Sequence, residues 1–450
     1  MGMKGDGKTL DMTDGRPAAL LLRFSIPLIL GNLFQQLYTF VDTLIVGQKL
    51  GVSALAALGA TEWLSFMMFG FIQGLTQGFS IGISKSFGEG KENPVQQGIF
   101  QAICLSAGAA LIVTAVGTAA IRPLLYLLRT PEELFGMASS YLGILYLGIP
   151  ISFAGNMLAA ILRALGNSRA PLYAMVTASV ANIFLDMLFV MGLGTGIRGA
   201  AYGTLLSQIG SVLCCGYALR KIEGARVAPG NRKLNGRMMA EQIRMGIPMG
   251  FQNIITAVGG LAVQSVVNGF GILFLAGYTA ANKLYGLLET AASSYGYAIS
   301  TYTAQNAGAG RKDRIRAGIL TALALGMVTA YLMSLVMVFG GKPILGLFLA
   351  KGQVRADTAI GIGYRFLCIL AAFFPLLYAV YILRACIQGM GNSTLPMLSG
   401  LVQVIMRVAC ATAFTGIIGN TGVFWGEIMA WLGADVFLAA AFVYRYGRRY

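Results

Sequence analysis

Histidine is absent from this chain of 450 residues, and cysteine is scarce. Without an imidazole, neither a histidine proton relay nor a histidine-ligated metal site can form. The six cysteines lie in apolar segments and none belongs to a Cys-x-x-Cys motif, so we expect small packing residues and no disulfide framework. The sequence shows no metal-ligand cluster and no nucleophile–base pair. We therefore expect no enzymatic activity and no cofactor.

Charged residues are also few, at 11% of the chain, where a soluble protein would carry about 25%. Hydrophobic residues make up 56%, and the mean hydropathy is +0.71. A membrane-spanning helix needs about 20 mostly apolar residues, and such stretches recur from end to end. A membrane barrel would instead alternate apolar and polar residues. The composition therefore predicts an all-α integral membrane protein.

Apolar runs between helix-breaking residues predict twelve membrane-spanning helices. Their approximate bounds are 17–47, 54–83, 96–121, 134–162, 169–192, 199–220, 242–268, 273–303, 315–340, 359–385, 395–417 and 423–445. The net charge of +16 could suggest a nucleic-acid partner, but the basic residues collect in every second loop, as the positive-inside rule predicts. We therefore expect a multi-pass protein of the cell membrane, with both termini cytoplasmic and no nucleic-acid partner.

Three short stretches recur in the same order in the two halves. FSIPLILGN (24–32) resembles MGIPMGFQN (245–253), SFGEGKENPVQQGI (86–99) resembles NAGAGRKDRIRAGI (306–319), and ALGNSRAPLYA (164–174) resembles GMGNSTLPMLS (389–399). Each half holds six spans, so both copies share one orientation, as in a parallel repeat whose axis lies along the membrane normal. The repeat predicts two pseudo-symmetric six-helix lobes, an arrangement suited to alternating access.

The repeat and the one long polar connection together predict five regions. These are a cytoplasmic tail 1–16, an N-lobe 17–220, a cytoplasmic linker 221–241, a C-lobe 242–445 and a cytoplasmic tail 446–450.

Six carboxylates fall within the predicted spans, where a charge is costly. They are Asp42, Glu62, Asp186, Glu289, Glu427 and Asp435. A charged side chain at the centre of a membrane helix costs at least ~2.5–3.5 kcal/mol on insertion scales, and such groups usually face a bundle interior or a wet cavity. Each is therefore a candidate functional residue.

The first and fifth helices each carry a polar stripe. Gln35, Tyr38 and Asp42 are spaced i, i+3 and i+7, and Asn182 and Asp186 are one turn apart, so each set shares a helix face. Two carboxylates brought together at low dielectric constant do not easily both stay ionised unless a cation intervenes. The two aspartates therefore predict a switch that holds either a proton or Na⁺.

Thr204 of the sixth helix offers a hydroxyl to the same site, and hard oxygen ligands from Asp, Asn and Thr suit Na⁺. The alternative is that both acids are structural and hydrogen-bonded to neighbouring Ser or Asn. The repeat offsets place Val263 opposite Asp42 and Ala411 opposite Asp186, with Arg407 opposite Asn182. The second half lacks both acids, which indicates that the fold does not require them.

The other ionisable groups leave alternatives open. Glu62, near the outer end of the second helix, could simply reach the interface. The C-lobe group consists of Glu289, Arg365, Arg407 and Asp435, and Arg365 and Arg407 are the only arginines that the predicted spans place deep in the membrane. These side chains could form buried ion pairs or a second proton path.

Three motifs resemble the multidrug and toxic compound extrusion (MATE) family over nearly the whole chain. They are PLILGNLFQQLYTFVDTLIVGQKLG in the first helix, the loop GEGK with its repeat GAGRKD, and LRALGNSRAP before the fifth helix. The resemblance implies twelve helices in two lobes. It also implies secondary-active export of organic, often cationic, compounds in exchange for Na⁺ or H⁺.

The resemblance is closer to the DinF branch, whose cation site lies in the N-lobe. It assigns cation binding to Asp42, Asn182, Asp186 and Thr204, a helix bend to Pro27, and cavity-lining positions to Gln35, Tyr38 and Asn156. Pro27 lacks a backbone N–H and should weaken or kink the first helix. Met67 is a further candidate for a cavity that accepts flat lipophilic molecules.

A NorM-type cation site and a flippase function both fit the sequence less well. NorM-like members add a carboxylate after a Gly-x-Pro motif in the seventh helix, where this chain has Thr256. Flippases for a lipid-linked oligosaccharide or lipid II have a related fold, but they need a strongly basic central cavity. The flippase remains the alternative function. We expect small organic substrates, contact with the lipid bilayer and a monomeric state.

Overall fold

The computed structural model of the protein describes residues 9–348 and 354–446. Residues 1–8 of the predicted tail 1–16 and residues 447–450 of the predicted tail 446–450 lie outside the described residues. Within the described ranges, every regular element is a helix, which confirms the predicted all-α class.

Twelve helices follow one another along the described chain, as predicted. They are α1 (Pro17–Gly51), α2 (Ser53–Gly88), α3 (Glu92–Leu127), α4 (Glu132–Leu147 and Ile149–Ala164), α5 (Arg169–Asp186), α6 (Ile197–Arg220), α7 (Gly236–Asn268), α8 (Ile272–Gly308), α9 (Lys312–Phe348), α10 (Val354–Gly389), α11 (Thr394–Ile418) and α12 (Gly422–Tyr446). Most extend beyond the predicted spans, because apolar composition marks only the part that crosses the hydrocarbon core.

Two local breaks shape the first half of the chain. Gly51 separates α1 from α2 with φ 81° and ψ −173°, a conformation that glycine adopts without steric cost. The two segments of α4 meet at an angle of 49°. Pro150 lies in the first turn of the second segment, where its missing N–H cannot bond back to the preceding turn.

Length and hydropathy show which helices can cross a membrane. Among the described residues, α1, α2, α3, α5, α7, α9 and α10 qualify, as do α11 and α12 as one continuous stretch, and α4 qualifies as a bent pair. The polar content of α6 and α8 is higher. In α8, Ser294, Thr303, Gln305 and Asn306 are all buried, so the polarity of this helix faces protein rather than lipid.

The chain packs as two compact units. The first comprises the described residues up to Asp14 and Ile26–Gly250, and the second comprises Gly15–Ser25 and the described residues from Phe251 onward. The chain thus passes between units within α1 and within α7, next to Pro27 and Pro248. The predicted tail, lobe and linker boundaries stay predictions.

Within the first unit, α5 packs on α6, and α4 packs on α3 and α6. The connection between α6 and α7 is held against α3. Gln96 accepts hydrogen bonds from the backbone N–H of Ala228 and from the amide of Asn231, both at 2.9 Å. Within the second unit, α10 packs on α8, α9 and α12, and α11 packs on α12.

Candidate functional site

Two carboxylates meet inside the first unit. Asp42 of α1 is 9% exposed and Asp186, the last residue of α5, is fully buried. Their carboxyl groups lie within hydrogen-bonding reach of each other, so the structure brings together the two acids that the sequence singled out. A π-helical turn, Met187–Gly192, begins directly after Asp186. Such turns frequently occur at functional sites.

The buried polar atoms around this pair lack partners. Within the described residues, Asp42 Oδ1, both carboxylate oxygens of Asp186 and both amide atoms of Asn182 accept or donate no hydrogen bond. Asn182 is fully buried. An unsatisfied buried polar group costs about 1–3 kcal/mol, and two adjacent carboxylates can bond to each other only through a proton or a cation. A shared proton or a bound cation is the kind of group that would satisfy these atoms.

Helix α6 packs against Asp186 at a glycine, Gly203. A Cβ atom on Gly203 would overlap Asp186 Oδ1 and would lie 3.3 Å from Asp186 Cγ, so only glycine lets α6 approach the carboxylate. Thr204, the predicted ligand, is the next residue and is half-buried. The sequence singled out Thr204, whose role as a ligand stays a prediction, and not the adjacent glycine that contacts Asp186.

Two tyrosines flank the carboxylates. Tyr38 of α1 and Tyr141 of α4 both lie close enough to Asp42 and Asp186 to interact with them electrostatically. Tyr38 was predicted from its place on the polar stripe of α1. Tyr141 was not, because a phenol on a predicted membrane helix is a weak signal by itself.

The remaining predicted positions lie elsewhere on the first unit. Gln35 is exposed beside Tyr38, and Met67 is half-buried in α2. Asn156 of α4 donates to the backbone carbonyl of Ser152 at 2.9 Å. Pro27 lies inside α1, fifteen residues before Asp42. Their roles in binding stay predictions.

The equivalent place in the second unit holds an ion pair. Arg407, which aligns with Asn182, bonds to Glu427 at 2.6 Å. The glycine spacing of α6 repeats in α12, so that Gly426 matches Gly203 and Glu427 matches Thr204. A Cβ on Gly426 would lie 2.8 Å from the Cβ of Ala411. The second unit thus keeps the close helix contact but has alanine where the first unit has Asp186.

Two other charged side chains of the second unit, Glu289 and Arg384, form hydrogen bonds with neutral side chains. Glu289 accepts a hydrogen bond from the Tyr381 hydroxyl at 2.9 Å. Arg384 is buried and donates to Ser399 and Gln403, both at 3.1 Å. Both carboxylate oxygens of Asp435 are buried without a hydrogen-bond partner among the described residues.

Burial divides the arginines of the second unit differently from the predicted spans. Arg365 is exposed, whereas Arg384 is buried together with Arg407. Helix α10 is apolar on all sides, so its sequence does not reveal which face turns inward. Glu62 is exposed, as expected for a side chain that reaches the interface. Thr256 donates only to the backbone carbonyl of Gln252, at 3.0 Å.

Comparisons with known proteins agree with this architecture. The sequence model of the MatE family matches residues 27–188 and 248–412. The chain is 30% identical over 444 residues to the probable multidrug resistance protein YpnP of Bacillus subtilis, covering 98% of each chain. It is 25% identical over 352 residues to the DNA damage-inducible protein F of Escherichia coli, covering 74% of this chain and 73% of the relative. A crystal structure of MATE in complex with MaL6 superposes with a TM-score of 0.90 at 23% identity, covering 97% of each chain.

Proposed function

Because the chain belongs to the MatE family, we propose that it is a secondary-active multidrug antiporter of the cell membrane. It exports organic, often cationic, compounds in exchange for H⁺ or Na⁺, by alternating access of two lobes. It acts as a monomer with both termini in the cytoplasm. The relatives named for multidrug resistance in Bacillus subtilis and for multidrug export in Staphylococcus aureus support the class of substrate.

The observation that carries this proposal is the unsatisfied carboxylate pair. Asp42 and Asp186 approach each other in the protein interior, and Asn182 adds an amide without partners among the described residues. A proton shared by the two carboxyl groups, or Na⁺ bound by their oxygens, would satisfy these atoms. The coupling ion is thus a bound substrate of the transporter and needs no further cofactor.

Release of that ion provides a force that can change the helix arrangement. Two unit charges 4 Å apart repel by roughly 4 kcal/mol at an effective dielectric constant of 20, so an empty pair favours separation of α1 from α5. Pro27 leaves the carbonyl of Arg23 without its helical donor, and α1 can bend there at low cost. Ion binding at Asp42 and Asp186 would reverse this change and expel the exported compound.

The flippase alternative finds no support in the charged groups. A pyrophosphate needs several available cations, but Arg407 is neutralised by Glu427 at 2.6 Å. The buried Arg163 and Arg384 already donate to neutral acceptors. We therefore propose export of organic compounds as the single function.

Purified protein in liposomes would test coupling directly. Uptake of a fluorescent organic cation is measured with an imposed pH gradient or an imposed Na⁺ gradient, each alone. We expect one gradient to drive transport in the wild type, and Asp42→Asn or Asp186→Asn to reduce it to the level of empty liposomes.

Glu62→Gln provides the matched control, since it removes an exposed carboxylate from the same unit. We expect this variant to transport like the wild type. Gradient-driven transport at the wild-type rate in both aspartate variants would refute the assignment of the site. Transport that neither gradient drives would refute the antiporter.

A further inference from the structure

A groove of about 320 Å³ opens between α3 and α4 on the first unit. Its lining residues include Thr118, Ala119, Ile121, Arg122, Ser139 and Gly143. None of them belongs to the carboxylate site. The volume lies at the lower end of the range of small-molecule pockets, roughly 300–1,000 Å³. The groove is therefore large enough to hold part of an amphipathic molecule.

The rim of this groove is apolar and faces outward. Leu147, which lines it, is 68% exposed, and Leu111 and Val116 of α3 are 70% and 63% exposed. Large exposed side chains on membrane helices contact acyl chains. The groove therefore opens toward the lipid bilayer.

One end of the groove is polar. Arg122 lies near the end of α3 and is exposed, and Ser139 of α4 is half-buried opposite it. Pro123, the next residue of α3, has no backbone N–H, so the carbonyl of Ala119 loses its helical donor. A backbone acceptor freed in this way within a membrane needs another partner.

We propose that this groove binds one phospholipid with an anionic headgroup, such as phosphatidylglycerol. The phosphodiester accepts hydrogen bonds from the Arg122 guanidinium and the Ser139 hydroxyl, and a headgroup hydroxyl donates to the Ala119 carbonyl. An acyl chain runs past Ile121 and Leu147. The lipid belongs to the leaflet opposite the N-terminus, which the charge distribution predicts to be the outer one.

Charge at this end of the groove favours an anion. Arg198 donates to Ser140, the neighbour of Ser139, at 3.2 Å, which adds a second guanidinium nearby. The closest acids along α4, Glu133 and Glu132, lie six and seven residues before Ser139, about 10 Å away at 1.5 Å per residue. They are too far along the helix to occupy the site themselves.

Native mass spectrometry of the purified protein tests the proposal without any transport assay. Phosphatidylglycerol and phosphatidylcholine with identical acyl chains are offered in turn. We expect one tightly retained phosphatidylglycerol in the wild type. Arg122→Gln should weaken it on the order of tenfold, because a charge-assisted hydrogen bond is lost. Arg129→Gln, which removes an exposed arginine beyond the end of the same helix, should leave retention unchanged.

A second variant separates occupancy of the groove from surface charge. A Cβ on Gly143 meets no atom within 4 Å, so the side chain of Gly143→Leu would start in open space and extend into the groove, and leucine also favours the helix. We expect this variant to lose the retained lipid while its thermal stability in detergent stays at or above that of the wild type.

Three results would overturn the proposal. The first is equal retention of the two lipids, and the second is unchanged phosphatidylglycerol retention in Gly143→Leu. The third is that free glycerol phosphate raises the thermal stability of the purified protein as much as the lipid does. Displacement of the lipid by the transported organic cation would also overturn it, since the groove would then be a substrate route. Because the readout is lipid retention, failure of the antiport assay leaves this test intact.

Discussion

The most specific perturbation of the proposed cation site is a single methyl group, added by Gly203→Ala. The new Cβ would overlap Asp186 Oδ1 and would lie 3.3 Å from Cγ and 3.4 Å from the backbone N of the same residue. The carboxylate must therefore shift by on the order of 1 Å to reach van der Waals distance. No charge is added or removed, so the effect isolates the position of the carboxylate from its chemistry.

The size of the effect follows from two general costs. Misplacing a reacting group by about 1 Å can cost on the order of 100-fold in rate, and overpacking a core typically costs about 1–3 kcal/mol. Because Asp186 and Asn182 are both fully buried, neighbouring atoms leave the displaced carboxylate little room. We expect gradient-driven transport to fall by roughly 10- to 100-fold and thermal stability to fall modestly.

Gly210→Ala is the matched control, since it places the same substitution on the same helix where a Cβ meets nothing within 4 Å. It should transport normally, and it should be slightly more stable because alanine favours a helix interior by about 1 kcal/mol over glycine. The assay is initial-rate uptake into liposomes with matched protein content. If Gly203→Ala transports as fast as Gly210→Ala, the contact between α6 and Asp186 does not position the site.

Two further predictions concern the second unit and the connection between α6 and α7. Glu427→Gln should lower the free energy of unfolding by about 3 kcal/mol, because it leaves the Arg407 charge unpaired in the interior. Glu241→Gln should cost less than about 0.5 kcal/mol, since its side chain is 69% exposed; equal thermal shifts for the two variants would contradict this. Gln96→Ala removes the hydrogen bonds to Ala228 and Asn231 and should speed cleavage near these two residues in limited proteolysis, while Gln101 still holds the end of the connection. Gln97→Ala, which removes one longer bond of 3.5 Å, should have little effect, and equal cleavage rates would contradict the prediction.

The sequence was most informative about residues that are energetically costly within a membrane. Carboxylates are rare in apolar helices because they are costly there, so Asp42 and Asp186 could be recognised without a structure. Most of the twelve helices could be predicted for a similar reason, since a membrane-spanning helix needs a long apolar run. The acids stand out because they interrupt apolar segments, and the helices stand out because their apolar runs are separated by polar loops.

Residues defined by packing could not be recognised in this way. Gly203 matters only because α6 crosses α5 at Asp186, and Tyr141 matters only because α4 turns its face toward the same site. Arg384 and Arg365 both lie on α10, and only the rotation of that helix buries one and exposes the other. A uniformly apolar helix carries no periodic signal from which its rotation could be predicted.

The two units offer an internal comparison that bears on the role of the acids. Gly426 packs on Ala411 as Gly203 packs on Asp186, so the same helix contact forms with and without a carboxylate. Packing therefore does not require Asp186.

The position of Asn182 points the same way. Its equivalent is Arg407, which bonds to Glu427 at 2.6 Å, so this side chain has a counter-charge within the second unit. In the first unit, Asn182 and Asp186 have no such partner among the described residues. This difference between the two repeats is what we expect if the first repeat binds the proposed ion at Asn182 and Asp186. We therefore expect Asp186→Ala to leave the fold intact while abolishing coupling, and a variant that fails to fold would show that the two repeats are not equivalent at this position.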